Sequence, residues 1–413
     1  MTLTLTRTPD TPSFLRARPA PLIGWALMAA LNLSAGLVIA SFPERQADLE
    51  TMREWGRDWL LAGSNIYVSF GNAPDYPPHA IVALSPMALL SSSWAVAMWA
   101  GLNFALAVLA AYLAVRVARP NVAISEAALP MLMFLCWGGF RVMLQFSLLS
   151  LTLGLLAMVV ADKRPKWSGV CLGLALMKPQ MAAPFFLWAL LTRRLRIAGT
   201  AVLIACLGIV LFCLRARASP LAVAVQYAEI LKQLYTGNVV MIGLSQLRPL
   251  VARAVREVAI VDAITGTIAV LMLAAICKWG LAEGRRGNTL MYSAPAMVGV
   301  WSLLTFYHLT YGFLLLLPAA TLLIFLSDPV TAAFRARLFW AMQLGLMVDV
   351  PTMWRRFGHL VQAPRIVSDV LMQVDRVLML AIFVSLAFLF MKTRRVLHRE
   401  PVLSVGHAST GSA

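Results

Sequence analysis

Residues 163–196 read KRPKWSGVCLGLALMKPQMAAPFFLWALLTRRLR, and this stretch decides the fold. From Trp167 to Thr192 it is apolar and long enough to cross a bilayer. Yet Lys163, Arg164 and Lys166 precede it, and Arg193, Arg194 and Arg196 follow it. Basic clusters at the ends of spans favour the cytoplasmic side. A single straight span puts one cluster on each side and satisfies only one of them. A break at Lys178-Pro179 satisfies both, because proline lacks an amide proton and ends or kinks a helix. Two arms of about 12 residues, about 18 Å each, then enter and return. Their apex, Lys178, lies past the midplane towards the outside. A kinked span with shifted neighbours is the other reading of these residues.

The whole chain supports a membrane setting. Its 413 residues are 60% hydrophobic and 13% charged, against about 45–50% and about 25% in a soluble domain. That excludes a disordered chain, a disulfide scaffold and a soluble enzyme. The net charge of +17, from 35 Lys+Arg against 18 Asp+Glu, would point to nucleic acid in a soluble domain. Here most of the cations sit in short stretches between apolar runs, where they anchor loops to anionic headgroups. Membrane lipids are therefore the expected partner, and nucleic acid is not. Cys136, Cys171, Cys206, Cys213 and Cys277 each lie inside an apolar run without a CxxC pair, so they read as packing residues. No metal site and no cofactor is expected.

The other apolar runs give ten candidate spans: 20–42, 93–117, 123–142, 146–162, 195–214, 258–281, 288–306, 310–327, 333–350 and 367–391. With the hairpin at Lys178, the total is about 10–12 transmembrane helices, all-α. Arg7, Arg16 and Arg18 precede the first span, which places residues 1–19 in the cytoplasm as a tail. Residues 20–399 form one membrane domain, and the C-terminal tail, 400–413, reads as disordered and cytoplasmic. The external segments are then 43–77, 143–145, 215–257, 307–309 and 351–366. The last breaks the charge rule with Arg355, Arg356 and Arg365. The run 78–92 is too short to span and reads as a dip into the outer face.

Polar chemistry gathers on that face. Loop 43–77 holds Glu44, Asp48, Glu50, Glu54, Asp58 and Asp75, a third of the chain's 18 carboxylates. Leu49, Met52, Trp55, Trp59 and Leu60 recur at helical spacing, which predicts a helix lying along the interface. Asp48 falls at its first turn, where it reads as an N-cap or as a functional carboxylate. Asp75-Tyr76-Pro77-Pro78-His79 leads into the dip. Lys178 is the sharpest feature, since an ionised lysine inside an apolar segment costs several kcal/mol without a partner, and a phosphate is a natural one. Tyr307-His308 ends a span, with Tyr311 following as either site or aromatic belt. Asp48, Asp75, Tyr76, His79, Gln145, Lys178 and His308 all fall on one side of this topology. A carboxylate base beside cations that hold a phosphate suits glycosyl transfer from a lipid phosphate.

These residues resemble glycosyltransferase family 87. The resemblance rests on Asp48, then Gly63-Ser64-Asn65-Ile66-Tyr67, then Tyr76-Pro77-Pro78 with Pro86. Gln145 at an outer turn, Gly169 and Gly173 ahead of Lys178-Pro179, and Leu317-Pro318 after Tyr307-His308 extend it over roughly residues 45–320. The sequence departs at Leu144-Gln145-Phe146-Ser147, where the family has Gly-Gln-x-Asn, and at Tyr311-Gly312, where Tyr-Asp is common. The resemblance implies a GT-C-like fold in a bacterial inner membrane. It implies transfer of a sugar, mannose by default, from a polyprenyl-phosphate donor to a lipid or glycan acceptor at the outer side, with inversion. By the same resemblance Asp48 is the base, with Asp58 as its alternative, and Lys178 and His308 hold the donor phosphate. Tyr76, His79, Gln145 and Tyr307 line the substrate pocket.

Two other classes compete. Broken helices also mark secondary transporters, which place polar groups near the midplane and often repeat their halves. This chain gathers its acids in an external loop and shows no internal repeat. A lipid-linked glycan ligase or flippase would share much of the outer-face chemistry.

Overall fold

The computed structural model describes residues 19–68, 74–236, 246–284, 293–306, 308, 310–326, 331–348 and 374–399. Every regular element among them is helical. Four helices are long and apolar enough to cross a membrane alone. They are α1 (Pro19–Ala40), α4 (Ser92–Ala118), α9 (Leu195–Ala216) and α12 (Val258–Gly284). Between them in the chain come α2 (Ala47–Leu60), α3 (Pro78–Leu84), α5 (Ile124–Leu135), α6 (Ser147–Val160), α7 (Pro165–Ala175), α8 (Pro179–Leu191), α10 (Pro220–Thr236) and α11 (Arg248–Ala254). After α12 follow α13 (Ser293–Thr305), α14 (Leu317–Phe325), α15 (Ala332–Val348) and α16 (Val374–Arg399). The chain is an all-α polytopic membrane protein.

Several expected spans are shorter helices, for local reasons. The span expected over 123–142 stops at Leu135, gives way at Gly138-Gly139 to a 3-10 turn over Gly138–Arg141, and leaves carbonyls open. Asn32 of α1 closes two of them, donating to Leu135 O at 2.7 Å and Trp137 O at 3.1 Å. The span expected over 310–327 begins as a 3-10 stretch, Thr310–Leu316, before α14. The dip at 78–92 is α3 followed by a 3-10 turn over Ser85–Leu89. Of the expected tails, 1–19 and 400–413, all but Pro19, which opens α1, lie outside the described residues, as do Arg355, Arg356 and Arg365.

The hairpin is broken as its sequence demands. α7 ends at Ala175 with Leu176 as its C-cap, Lys178 occupies the N-cap of α8, and Pro179 stands first in that helix, where a missing N–H costs nothing. At the other end Arg194 donates to Asp162 Oδ1 at 2.7 Å, which brings the two basic clusters together. A single straight span would hold them apart. Glycines let the neighbours close on the hairpin. A Cβ on Gly169 would strike Thr200 and come within 2.8 Å of the Ile197 carbonyl, and one on Gly173 would come within 2.7 Å of Ile204.

α2 buries Leu49, Met52, Trp55 and Trp59 and leaves Glu54, Arg57 and Asp58 exposed, as an interfacial helix must. Its N-cap is Gln46, not Asp48. Asp48 and Glu50 sit in the first turn, where the helix dipole favours acids. Arg53 is buried, pairs with Glu50 and donates to the Met87 and Leu90 carbonyls, which ties α2 to the dip. At the far end Trp59 donates to Phe212 O at 3.1 Å, and Arg215 donates to Leu60 O and Leu61 O. Gly63, at φ +69°, turns the chain there. Its left-handed backbone favours glycine, and a Cβ there would crowd the Arg215 guanidinium.

Candidate active site

The site forms where the hairpin apex meets the loop before α3, the turn before α6 and the segment after α13. Lys178 is only 4% exposed. Its Nζ donates to Tyr76 Oη at 3.4 Å and lies 5.6 Å from the Tyr76 ring centroid and 4.5 Å from that of Tyr311. Two such ring contacts return roughly 1–2 kcal/mol each when desolvated. Burying an ammonium costs several kcal/mol. The carboxylates of Asp75 and Asp48 also attract it, but among the described residues no carboxylate pairs with it directly. The apex therefore holds one buried cation whose partners are a tyrosine hydroxyl and two aromatic rings, with no direct ion pair among the described residues.

Tyr76 is held from several sides. Its carbonyl accepts from Tyr67 Oη at 2.7 Å, and its ring packs edge-on to Phe146 and tilted against Trp55. Burial keeps both the Tyr67 and the Tyr76 hydroxyls protonated, well above the usual tyrosine range. The Gly63–Tyr67 turn has a visible purpose here. Asn65 Oδ1 accepts from Tyr67 N, and Asn65 Nδ2 donates to Gln226 of α10. Tyr227 donates to Asp75 O at 3.3 Å. Asp75 itself is open to solvent yet ringed by protein, which raises its carboxyl above the usual range, while Lys178 pulls the other way.

Gln145 is buried in the turn before α6, and its amide donates to Asp48 Oδ2. That contact joins residues 97 apart in sequence. Asp48 is exposed. Asp58, ten residues further along α2, is exposed and makes no described contact with this cluster. Its backbone carbonyl accepts from Ser64 N at 2.9 Å, in the turn that follows α2.

His308 is fully buried. Ser302 Oγ donates to Gln180 O at 2.8 Å and lies 3.0 Å from His308 Nε2. The hydroxyl has one proton and the Gln180 carbonyl can only accept. The hydroxyl must therefore accept from His308 Nε2–H, which fixes the tautomer. The other nitrogen, Nδ1, is a bare acceptor with no partner among the described residues. It lies 2.7 Å from where a Cβ on residue 312 would sit, so Gly312 is needed for the chain to close over the ring.

His79 stands apart. It packs against α9, where a Cβ on Gly208 would come within 2.5 Å of its own Cβ. Its ring approaches the Leu176 carbonyl at the hairpin break without hydrogen-bond geometry, and both nitrogens are buried without partners among the described residues. Tyr307 lies outside the described residues. Ser302 was not anticipated from the sequence, and nothing in its apolar helix marks it out.

A family model described as glycosyltransferase family 87 matches residues 75–307, more than half of the chain. The matched stretch begins at Asp75, includes Tyr76, Gln145 and Lys178, starts after Asp48 and ends just before His308. No curated protein and no solved structure matches the chain.

Proposed function

Since the chain belongs to glycosyltransferase family 87, we propose that this membrane glycosyltransferase takes its sugar from a polyprenyl-phosphate carrier. The sugar is mannose by the family's default, and the acceptor is a lipid or glycan hydroxyl. The work is done at the outer face of a bacterial inner membrane, with both chain ends in the cytoplasm.

One observation carries this reading: Lys178, buried at the break between α7 and α8 and attracted by the more distant carboxylates of Asp75 and Asp48, has no ion-pair partner among the described residues. A donor phosphate would complete its shell. Tyr76 Oη already accepts from Lys178 Nζ, so its own proton is available for a phosphate oxygen. The acceptor oxygen attacks C1 of the sugar, and the bond from C1 to the phosphate oxygen breaks. The phosphate leaves with the electron pair towards Lys178 and Tyr76, which stabilise the charge as it forms. Asp48 takes the proton of the acceptor hydroxyl. Gln145 occupies one of its oxygens and leaves the other for that hydroxyl. A single displacement inverts C1.

His308 serves the same phosphate at one remove. With Nε2–H committed to Ser302, it fastens the end of α13 to Gln180 in the first turn of α8, two residues from Lys178. Purified protein offered labelled polyprenyl-phosphate mannose should bind it, and Lys178→Met should lose that binding. Retained binding in a folded Lys178→Met protein would remove the phosphate from this residue.

A further inference from the structure

The inner end of the hairpin holds positive charge that sugar transfer does not use. α7 and α9 run parallel and in register there. Gly169 meets Thr200, and Gly173 meets Ile204, four residues on in both helices. Their first turns, at Pro165 and Leu195, therefore stand at the same level. Each helix is entered through an arginine, Arg164 and Arg194, and neither has a side-chain cap. An arginine at that position has the wrong sign for the helix dipole, and the open amides of both first turns favour an anion.

Lys163, Lys166, Arg193 and Arg196 are exposed around the same turns. Asp162 is the nearby acid, and Arg194 takes its carboxylate. The other five cations make no ion pair among the described residues. The Arg194 guanidinium lies 5.2 Å from the Trp188 ring centroid, and the buried Trp188 Nε1–H has no hydrogen-bond partner among the described residues. Beside the cations, in the same first turns, Trp167 is 64% and Leu195 66% exposed. A free phosphate would leave those two side chains in water. A lipid covers them, and tryptophan favours the headgroup level.

We propose that this surface binds the headgroup phosphate of an anionic phospholipid, seated over the paired first turns of α7 and α9, with Trp167 and Leu195 against its acyl region. The bound lipid anchors the base of the hairpin at the headgroup plane. It thereby sets the height of Lys178, about 20 Å away along the 13 residues of α8. The inference is independent of the sugar and of the transfer chemistry.

The test uses full-length protein in nanodiscs of phosphatidylcholine, with and without phosphatidylglycerol. Phosphatidylglycerol should raise the unfolding midpoint of the wild type by about 2 °C or more, and inorganic phosphate added to phosphatidylcholine discs should not. The triple variant Lys163→Gln/Lys166→Gln/Arg196→Gln should lose the shift. The control pair Arg45→Gln/Arg256→Gln, exposed cations elsewhere, should keep it. A photoactivatable phosphatidylglycerol should crosslink the wild type within 163–167 or 193–196, and this decides the matter if the triple variant does not fold. An unchanged shift in the triple variant, crosslinks confined to other segments, or equal stabilisation by inorganic phosphate would overturn the proposal.

Discussion

The two ends of one hairpin carry positive charge in opposite ways. At the apex a single lysine is 4% exposed and rests on two tyrosine rings. At the base six cations crowd around two helix starts, most of them open to solvent. Charges in water are screened and individually cheap. A charge withdrawn from water is expensive until an anion arrives. The base therefore acts as a sum, tolerant of losing one member. The charge at the apex rests on one residue. Under the proposed function, the anion that completes the shell of Lys178 is the donor phosphate.

That contrast can be broken at the carboxylate first. Asp48→Asn should lower turnover by about 10²–10⁴-fold, while Asp58→Asn stays near wild type. Initial rates from a labelled donor decide it, and the reverse pattern would move the base along α2. Lys178→Met comes next, with turnover falling by about 10²–10³-fold. The same variant should unfold at a higher temperature than wild type, because an apolar side chain replaces a buried charge. A lower unfolding temperature would mean that the lysine is structural.

Gln145→Leu should be milder, about 10–100-fold in kcat with little change in KM, since it displaces Asp48 without touching the donor. Equal losses in Asp48→Asn and Asp48→Asn/Gln145→Leu would place both residues in one function. Asp75 gives the smallest effect. Its carboxyl is raised from 3.8 in the folded chain, so the stability it contributes is fully present below that value and is lost as pH rises through the folded value. Thermal unfolding measured from pH 3 upwards should therefore show a decline that Asp75→Asn flattens. An unchanged slope in the variant would locate the titration elsewhere.

What the sequence disclosed followed from how local each cause is. The break at Lys178-Pro179 was legible because a proline and two flanking charge clusters each constrain the chain on their own. α2 was legible because its apolar residues keep helical spacing under a polar face. Span lengths were not: α5 ends where Asn32, more than a hundred residues away in sequence, takes up the carbonyls freed by Gly138-Gly139. The helix cap made by Arg215 on Leu60 and Leu61 is equally non-local. In the site, Lys178 and Tyr76 announced themselves. Asp48 was first read beside an N-cap role that Gln46 fills, and its pairing with Gln145 shows only in three dimensions. The tautomer of His308 depends on Ser302 and on the Gln180 carbonyl, and neither leaves a pattern along the chain.

The most direct test is a transfer assay in detergent. It offers labelled polyprenyl-phosphate mannose and a membrane lipid extract to wild type, Lys178→Met, Asp48→Asn and Asp58→Asn. Transfer by wild type and by Asp58→Asn, with loss in the other two, is the predicted result. No transfer by wild type from any polyprenyl-phosphate sugar, together with solute uptake by the same protein in proteoliposomes, would contradict it and make the broken helix a transport site.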